Sequence, residues 1–272
     1  MDVVIMCGGK STRLSEKLDK TNKALVEVGN FPIIWHLIKI FDFYDCKRFH
    51  LALGDYGNQI KRWFVDYRFY NSYKLNMENP IEPKYRDNWE VNLKNTGSNS
   101  GTAFRVKLLQ NDIKGDRFIF SYGDGLADIN INKLIKHHKE QVKKYNVVAT
   151  MSAVISPSQF GVIKHNDKGL IENFEEKSKI SNAWINIGFI VCEKKIFNYI
   201  TDDQNAMLVK DVFPKLAEEG KLAIYKHDGF FKPMDTFKDY NELNKIWETR
   251  NAPWNVWKEK EAKENVGRSL FW

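Results

Sequence analysis

Apolar residues recur with two different spacings along the first half of the chain. Residues 2–6 form a continuous apolar run, which is typical of a strand buried on both faces. Residues 32–44 begin with Pro32 and then place apolar residues at helical spacing. The alternation continues with strand-like and helix-like segments at 48–53, 57–70, 117–122 and 130–144. Strands that alternate with amphipathic helices predict an α/β fold with a parallel sheet flanked by helices.

The pattern changes in the second half. Residues 147–192 are rich in strand-like segments separated by turn signals, and helical spacing returns at about 194–200, 207–219 and 236–249. The Asn-rich stretch between 70 and 117 reads as irregular. We therefore predict one domain over 1–257 with a strand-rich and helical C-terminal elaboration. The mixed-charge residues 258–272 are predicted to form a peripheral tail.

Composition and charge narrow the class of protein. The chain has 272 residues, 43% hydrophobic and 28% charged, which are ordinary values for a globular enzyme. Its net charge of +7 suits a phosphorylated ligand or nucleic acid, although scattered lysines also do no more than solvate a surface. The sequence contains no nucleic-acid-binding module or arginine-rich helix, so we expect no nucleic-acid partner.

The cysteines and the lengths of the apolar segments indicate the cellular compartment of the protein. The three cysteines, Cys7, Cys46 and Cys192, are far apart and odd in number, which favours a reducing environment. The N-terminus lacks the pattern of a secretory signal, and no apolar stretch approaches the ~18 residues that a bilayer requires. We expect a cytoplasmic protein with no membrane partner.

The first candidate for chemistry is the turn after the first strand. The apolar run ends in Gly8 and Gly9, and Ser11, Thr12 and Arg13 follow at once. A glycine turn at the end of a parallel strand lets backbone N–H groups approach phosphate oxygens, and an arginine can bind phosphate through two hydrogen bonds. Neither G-x-x-x-x-G-K-[ST] nor G-x-G-x-x-G is present, so hydride transfer is a poor fit. A purely structural glycine turn remains the alternative.

Two aspartates at the ends of predicted elements are the second candidate. Asp124 follows the strand 117–122 inside Gly123-Asp124-Gly125, and Asp235 precedes the helix 236–249. Carboxylates beside a phosphate site require a cation between them, which makes both residues candidate Mg²⁺ ligands. The alternatives are that Asp124 only stabilises a turn and that Asp235 is the N-cap of its helix.

At this point several motifs resemble one family. In chain order they are GGKSTRL, KALVEVG, NTGSNSGTAFR, YGDGLAD, FGVI, FEEK, NIGF, PMDT and APWNVW. Together they resemble the sugar nucleotidyltransferases, and most closely the glucose-1-phosphate cytidylyltransferases. The resemblance is collinear from Met1 to about Trp257 and so covers nearly the whole chain.

The resemblance implies a Mg²⁺-dependent reaction between CTP and a sugar 1-phosphate, with glucose 1-phosphate expected. The sugar phosphate would attack the α-phosphate of CTP in line, which gives a CDP-sugar and pyrophosphate. It also implies a Rossmann-like, mixed but mostly parallel sheet, with a nucleotide-binding half over 1–145 and a sugar-phosphate-binding half over 146–257. A homo-oligomer is expected because the family is commonly oligomeric.

The resemblance also implies roles for individual residues. Arg13, Lys23 and Asp124 would be catalytic, with Lys23 between the nucleotide and sugar phosphates, and Asp124 and Asp235 would hold the metal. The nucleotide would be bound by the glycine turn and by a base and ribose pocket, that is by Gly8, Gly9, Ser11, Thr12, Arg13, Thr96, Gly97, Thr102 and Arg105. The sugar phosphate would be bound by Gly161, Glu176, Lys177, Asn186 and Gly188, with Glu176 on the sugar hydroxyls and Lys177 on the phosphate.

Departures from the family pattern leave alternatives open. Ser11, Phe104 and Ile187 replace glycines, and Gln159 replaces an arginine, so Phe104 and Ile187 are expected to narrow the ligand pocket. The acceptor could then be another sugar phosphate or a non-sugar phosphate or phosphonate, and UTP or dTTP could replace CTP. A catalytically silent nucleotide-binding subunit is disfavoured because it need not keep Asp124 and Asp235. Taken one by one, Glu176 and Lys177 could be solvated surface, Asn186 part of a bulge, and Arg105 an exposed helix residue.

Overall fold

A computed structural model describes most of the chain. The described residues are 1–8, 21–74, 82–83, 87–155, 162–165, 168, 171–175 and 183–258. The strands are β1 (Asp2–Cys7), β2 (Glu27–Val28), β3 (Phe31–Pro32), β4 (Arg48–Leu53), β5 (Tyr73–Lys74), β6 (Glu82–Pro83), β7 (Glu90–Asn95), β8 (Arg117–Tyr122), β9 (Gly125–Ala127), β10 (Ala149–Ile155), β11 (Val162–His165), β12 (Ile171–Glu175), β13 (Trp184–Glu193), β14 (Leu222–Lys226) and β15 (Phe231–Pro233). The α-helices are α1 (Ile33–Phe43), α2 (Gly57–Ser72), α3 (Thr102–Leu108), α4 (Ile131–Tyr145), α5 (Phe213–Glu218) and α6 (Phe237–Glu248).

Seven strands form the central sheet, in the order β14-β10-β13-β8-β1-β4-β7. β1 pairs in parallel with β4 and β8, β4 with β7, and β10 with β14. β13 pairs antiparallel with both β8 and β10, so it runs against the other six strands. The mixed, mostly parallel sheet confirms the predicted fold class. The carboxyl ends of six strands and the start of β13 therefore lie at one edge of the sheet.

Apolar side chains cover both faces of the sheet. On one face α1 packs with Phe49, Phe189 and the C-terminal Trp254, and on the other Phe118 and Phe120 pack with residues that follow β13. Val3, Val4 and Ile5 in β1 have no exposed surface, as expected for a strand buried on both faces. Within the described part of the chain, no helix is both long and apolar enough to cross a membrane.

One prediction about elements is wrong, and two predicted helices differ in type. The stretch predicted to be irregular between 70 and 117 contains the edge strand β7 and the helix α3, although its Asn and Gly residues disfavour both. The predicted helix 207–219 is confirmed in extent, but it breaks into a π-helical turn, Leu208–Val212, and the short α5. Pro214 has no backbone N–H to donate, which accounts for the break. Likewise, 194–200 forms the 3₁₀ helix Lys194–Tyr199.

Candidate active site

The candidate site lies at the edge where the parallel strands end. Ligands of open α/β sheets bind beyond the carboxyl ends of the strands, and a cavity of about 420 Å³ opens there between the ends of β1 and β8. Its lining is Met6, Cys7, Gly8, Asn22, Lys23, Ala24, Ser98, Asn99, Ser100, Thr102, Arg105, Tyr122, Gly123, Asp124 and Met207. Five of these fifteen residues had been predicted as site residues, namely Gly8, Lys23, Thr102, Arg105 and Asp124.

Asn22 fixes the turn that carries Lys23. Its side-chain oxygen accepts a hydrogen bond from the backbone N–H of Ala24 at 3.0 Å and caps the 3₁₀ turn Lys23–Leu25. Its amide nitrogen donates to the carbonyls of Cys7 and Asp55, both at 2.9 Å. Because Asn22 is buried, these bonds hold the turn against the ends of β1 and β4. No sequence signal marks Asn22, since its partners are mostly backbone groups of other segments.

Lys23 lies between two carboxylates. Its Nζ is 2.6 Å from Oδ2 of Asp124 and also donates to Oδ1 of Asp235. Burial lowers the pKa of the Lys23 ammonium, but the two carboxylates outweigh burial and raise this pKa above its ordinary value. The ammonium therefore stays charged at neutral pH. The structure thus brings together three predicted site residues from distant parts of the chain.

A glycine turn brings Asp124 to the cavity. Gly123 follows β8, and a Cβ at this position would lie 2.5 Å from the carbonyl oxygen of Met6 in β1. Only glycine lets the two strand ends approach this closely. The carbonyl of Asp124 then accepts a hydrogen bond from the N–H of Met234 at 2.7 Å, which joins this turn to the segment that carries Asp235.

Asp235 precedes α6, but the N-cap interpretation of this residue is wrong. The N-cap is Thr236, whose hydroxyl accepts a hydrogen bond from the N–H of Asp239 at 3.2 Å. The carboxylate of Asp239 accepts one from the N–H of Thr236 at 2.9 Å, which completes a capping box. Because Thr236 caps the helix, the Asp235 carboxylate is left to face Lys23.

The chemistry of these donors fits a divalent cation with a small protein ligand set. Asp124 and Asp235 converge on one cation, which here is the ammonium of Lys23. Among the residues that the structure describes, no group of three or more His, Cys, Asp or Glu side chains is arranged to hold a metal. Mg²⁺ is usually held by one or two carboxylates, and waters and substrate oxygens complete its shell. The pair therefore suits Mg²⁺ better than Zn²⁺, which takes three or four protein ligands.

Three residues predicted for the base and ribose lie near the end of β7. The hydroxyl of Thr96 donates to the carbonyl of Leu53 at 2.8 Å, so the buried Thr96 ties β7 to β4. Gly97 has a φ of 89°, a left-handed conformation that favours glycine. Thr102 is the first residue of α3 and lines the cavity.

Arg105 lies one turn further along α3. It is 4% exposed, so its interpretation as an exposed helix residue is wrong. Its guanidinium hydrogen-bonds to backbone carbonyls around the cavity, including that of Gly8 at 3.3 Å. Neighbouring polar atoms of the protein, rather than solvent, surround this charge.

Asn186 and Gly188 lie near the start of β13 and therefore at the same edge of the sheet. The side-chain oxygen of Asn186 accepts a hydrogen bond from the N–H of Gly188 at 2.8 Å. Gly188 has a φ of 81°, and a Cβ there would lie 2.4 Å from the ring of Tyr122. The register between β10 and β13 also shifts here, so a local irregularity accompanies the predicted site.

Tyr122 connects the two sides of the site, although the motif YGDGLAD, which it begins, had indicated a role only for Asp124. Its ring lines the cavity and packs on Gly188. Burial and then the charge of Asp124 raise the pKa of Tyr122, which keeps the phenol protonated. Its position directly before Gly123-Asp124-Gly125 is the one available sequence signal.

The two bulky replacements do not line the cavity that the described residues form. Ile187 is 3% exposed and belongs to the same hydrophobic core as Phe189. Phe104 is half-buried on α3 and lies outside the lining. Neither residue therefore narrows this cavity. Successive residues of a strand face opposite sides, so Ile187 points away from the face that Asn186 and Gly188 present.

The remaining predicted residues lie outside the described part of the chain. They are Gly9, Ser11, Thr12 and Arg13 of the glycine turn, and Gly161, Glu176 and Lys177 of the sugar-phosphate side, together with Gln159. Their roles stay predictions. Gly8 is the last described residue before the turn, and it lies in the cavity wall.

The cysteine thiols are unsuited to nucleophilic chemistry. All three are free and buried. Burial raises the pKa of Cys46 to about 11, and burial raises the pKa of Cys7 and Cys192 further. Because the thiolate is the nucleophile, a protonated buried thiol beside Asp124 is inert.

A mostly parallel sheet with a charged cavity at its carboxyl edge is typical of α/β enzymes that act on phosphorylated ligands. The chain belongs to the nucleotidyl transferase family, whose model matches residues 2–252. This finding confirms the family indicated by the motifs.

Relatives and a solved structure agree with this assignment. A Bacillus subtilis protein named a probable glucose-1-phosphate cytidylyltransferase is 36% identical over 260 residues, which cover 94% of this chain and 100% of the relative. The glucose-1-phosphate cytidylyltransferase of Salmonella typhimurium is also 36% identical, over 262 residues, with the same two coverages of 94% and 100%. The crystal structure of HddC from Yersinia pseudotuberculosis with GMP-PN is 19% identical and matches with a TM-score of 0.62, over 90% of this chain and 99% of that chain. This last likeness supports the fold alone.

Proposed function

We propose that the protein joins CTP and a sugar 1-phosphate, with glucose 1-phosphate as the sugar, to give a CDP-sugar and pyrophosphate. The observation that carries the chemistry is the Lys23 ammonium held between Asp124 and Asp235 at the cavity. The choice of substrates is supported by two relatives that are 36% identical over nearly the whole chain and bear the name glucose-1-phosphate cytidylyltransferase.

The reaction requires two polyanions to meet. An oxygen of the sugar phosphate forms a bond to the α-phosphorus of CTP, and the bond to the bridging oxygen of the β-phosphate breaks, so that pyrophosphate leaves. Little covalent help is needed, because positioning and charge neutralisation supply most of the rate in phosphoryl transfer. The Lys23 ammonium, which its neighbours keep protonated, suits the position between the two phosphate groups.

Asp124 and Asp235 would hold a Mg²⁺ ion on the nucleotide phosphates. Such an ion neutralises the charge of the triphosphate and of the departing pyrophosphate. The turn at Gly123 and the capping box at Thr236 support this role, because together they bring both carboxylates to Lys23, which lines the cavity.

The two substrates would occupy opposite ends of the cavity. The nucleotide would lie along the wall of β1, β4 and β7, with its base near Thr96, Gly97 and Thr102, and with Thr12 and Arg13 on its phosphates. The sugar phosphate would lie toward Tyr122, Asn186 and Gly188, with Glu176 and Lys177 as further ligands. We also propose a cytoplasmic homo-oligomer, on the resemblance alone.

Pyrophosphate release by the purified protein with Mg²⁺ tests this function. CTP, UTP, dTTP, ATP and GTP are each combined with glucose 1-phosphate, other hexose and heptose 1-phosphates, and simple phosphonates. Release that requires CTP and glucose 1-phosphate supports the proposal in full. Release with another acceptor, or with UTP or dTTP, keeps the chemistry and replaces the substrate.

The same assay needs a variant that shows whether pyrophosphate is released by this site or by a contaminating enzyme. Asp124→Asn removes one charge without a change of size, and Asp116→Asn makes the same change at an exposed position away from the cavity. We expect Asp124→Asn to lower kcat by about 10²-fold or more, and Asp116→Asn to retain the wild-type rate. Equal rates for the two variants would remove Asp124 from the mechanism.

A further inference from the structure

A second cavity of about 420 Å³ lies at the edge of the sheet where the parallel strands begin. Val148 precedes β10 and Lys221 precedes β14, and Lys195 follows the end of β13, which runs in the opposite direction. All three residues are in its wall. This second cavity is therefore at the far end of the strands from the candidate active site.

The charged groups in the wall of the second cavity are mostly ammonium groups. Among the residues that the structure describes, the lining contains three lysines, Lys195, Lys215 and Lys221, and one carboxylate, that of Glu219. These four side chains leave two positive charges in excess. What the second cavity can bind depends on which of the three ammonium groups the carboxylate already neutralises.

Glu219 neutralises Lys221. Its Oε2 accepts hydrogen bonds from Nζ of Lys221 and from the hydroxyl of Tyr199, both at 2.8 Å. The same Nζ also donates to the hydroxyl of Tyr199 at 2.8 Å. The hydrogen bond between Lys221 and Glu219, and then those to Tyr199, raise the pKa of Lys221 and lower the pKa of Glu219. Both groups therefore stay charged at neutral pH, and their charges cancel.

Lys195 and Lys215 are left without a carboxylate partner in the described part of the chain. Nζ of Lys195 donates to the side-chain oxygen of Asn146 at 3.0 Å, and Nζ of Lys215 lies 5.5 Å from the centre of the Tyr199 ring. An ammonium has three donors, so each of these two lysines keeps donors for a ligand. Both side chains are exposed to the solvent that fills the second cavity.

The lysines are not required to cap the neighbouring helix. Cations near the end of a helix often bind its last carbonyl groups, and Lys215 and Lys221 lie near the end of α5. Here backbone N–H groups occupy those carbonyls. The N–H of Glu219 donates to the carbonyl of Lys215 at 3.1 Å, and the N–H of Lys221 donates to that of Leu216 at 2.7 Å.

These features favour a compact anion as the ligand. Lysines bind phosphate as point charges, and the only carboxylate in the described lining is already paired with Lys221. A divalent cation would meet two unpaired ammonium groups and is excluded by repulsion. The volume of about 420 Å³ is within the range of small-molecule sites and exceeds what a single inorganic ion requires.

We propose that the second cavity binds a phosphate-bearing anion, separately from the active site. Lys195 and Lys215 bind the phosphate oxygens, and the amide of Asn146 borders them. The anion joins α5 to the segment that follows β13, the strand whose other end carries Asn186 and Gly188. The proposal does not depend on the proposed function, because none of the residues in this wall has a role there.

Nuclear magnetic resonance of the ¹⁵N-labelled full chain locates the anion. Pyrophosphate is added without Mg²⁺ in about 0.15 M sodium chloride, which screens diffuse attraction to surface lysines. Backbone amide signals of Asn146, Lys195 and Lys221 report the second cavity, and those of Gly8 and Lys23 report the active site. Glucose 1-phosphate and sodium sulfate are then added to separate samples, which distinguishes a diphosphate, a phosphate ester and any divalent anion.

Two pairs of substitutions provide the comparison. Lys195→Gln with Lys215→Gln removes the two unpaired charges, and Lys133→Gln with Lys210→Gln removes the same charge from exposed lysines outside the cavity lining. We expect the wild type to bind pyrophosphate in the second cavity with a dissociation constant of about 1 mM or tighter. The first pair should weaken this binding by about tenfold or more, and the control pair by less than about twofold. The single variants Lys195→Gln and Lys215→Gln serve if the first pair does not fold.

Three results would overturn the proposal. The first is that no anion shifts the signals of the second cavity in a saturable way up to about 10 mM. The second is an equal response in the two pairs of variants. The third is a response confined to Gly8 and Lys23, which would support the proposed function and leave the second cavity without a ligand. A response confined to the second cavity would instead support this proposal and contradict phosphate binding at the active site.

Discussion

Lys23 meets carboxylates that are 101 and 212 residues away along the chain. Replacing it by methionine keeps most of the side-chain volume and removes the charge. We expect Lys23→Met to reduce kcat by about 10²-fold or more, because the phosphate groups then meet without this cation. Steady-state pyrophosphate release at saturating CTP and sugar phosphate measures the effect.

The chain supplies a matched control for this variant. Lys232 also lies between two carboxylates, 3.1 Å from Asp239 and 2.5 Å from Glu242, but outside the cavity lining. Lys232→Met should retain kcat within about twofold, because Lys232 lies outside the cavity lining and partly exposed ion pairs contribute little. If both variants lose activity equally, the effect of Lys23 is one of folding rather than of catalysis.

Gly54 offers a residue-scale test of the space occupied by Arg105. A Cβ at this position would lie 2.8 Å from both Nη1 of Arg105 and the carbonyl oxygen of Gly8. We expect Gly54→Ala to lower the free energy of unfolding by about 1–3 kcal/mol, measured by urea denaturation. The same substitution in an Arg105→Ala background should cost less, because one of its two clashes is gone. An equal cost in both backgrounds would show that the guanidinium does not set this requirement.

Sequence motifs identified Lys23, Asp124 and Asp235, but they could not indicate how these residues are held. The supports are Asn22, Gly123 and Thr236, and most of their partners are backbone atoms of other segments. Backbone carbonyls have no sequence signature, which is also why the surroundings of Arg105 could not be predicted. The cap at Thr236 could have been, since Thr-x-x-Asp is a variant of the capping-box pattern.

At the scale of elements, α1 is joined to the C-terminal segment through His36. Nε2 of His36 donates to the carbonyl of Val28 at 2.9 Å, and Nδ1 lies 3.4 Å from the donor Nε1 of Trp254. Burial lowers the pKa of His36 to about 4, because its hydrogen bonds do not offset the loss of solvent. The imidazole is therefore neutral in the folded protein at neutral pH.

This histidine predicts a loss of stability in mild acid. The unfolded chain protonates His36 near its ordinary pKa of about 6.5, whereas the folded protein resists protonation down to about 4. Between these values the unfolded state binds the extra proton, so the free energy of unfolding falls by up to about 1.4 kcal/mol per pH unit. Urea denaturation between pH 7 and pH 5 should show that the free energy of unfolding falls less steeply in His36→Gln than in the wild type. His137→Gln is the control for the removal of a histidine. If its free energy of unfolding depends on pH as weakly as that of His36→Gln, the effect cannot be assigned to His36.

The predictions of elements succeeded where the spacing was strong and uninterrupted. The strands at 48–53 and 117–122 have the predicted bounds, and the helices at 57–70 and 130–144 shift by two residues or fewer at either end. β7 was missed because its local sequence is polar, and α3 because it is only seven residues long; tertiary pairing with β4 and contacts around Arg105 stabilise them instead. The residues with the most structural influence on the nucleotide side thus lay in a stretch that looked irregular.

On the scale of the whole molecule, one sheet includes strands from both predicted halves. β13, from the second half, pairs with β8 of the first half and with β10. Phe118 and Phe120 of β8 pack against residues that follow β13, such as Phe197. A strand order in which 184–193 returns antiparallel beside 117–122 could not be read from local spacing, because pairing between distant strands leaves no local pattern.

Residues 1–145 expressed alone should therefore fail to fold cooperatively. The fragment would expose the free edge of β8 and the apolar side chains of Phe118 and Phe120. Thermal unfolding followed by circular dichroism should show no sharp transition for the fragment, in contrast to the full chain under the same conditions. A cooperative transition in the fragment would mean that the two halves are independent folding units.

The contact of Lys23 with Asp124 and Asp235 also affects how the protein tolerates chelators. A site that gathers carboxylates often depends on its metal for stability, but here the polypeptide supplies the cation itself. EDTA should therefore leave the thermal midpoint of the ligand-free protein unchanged within about 1 °C. The midpoint of Lys23→Met should instead rise with added Mg²⁺. Protein stripped of metal during purification should remain folded and regain turnover as soon as the ion is returned.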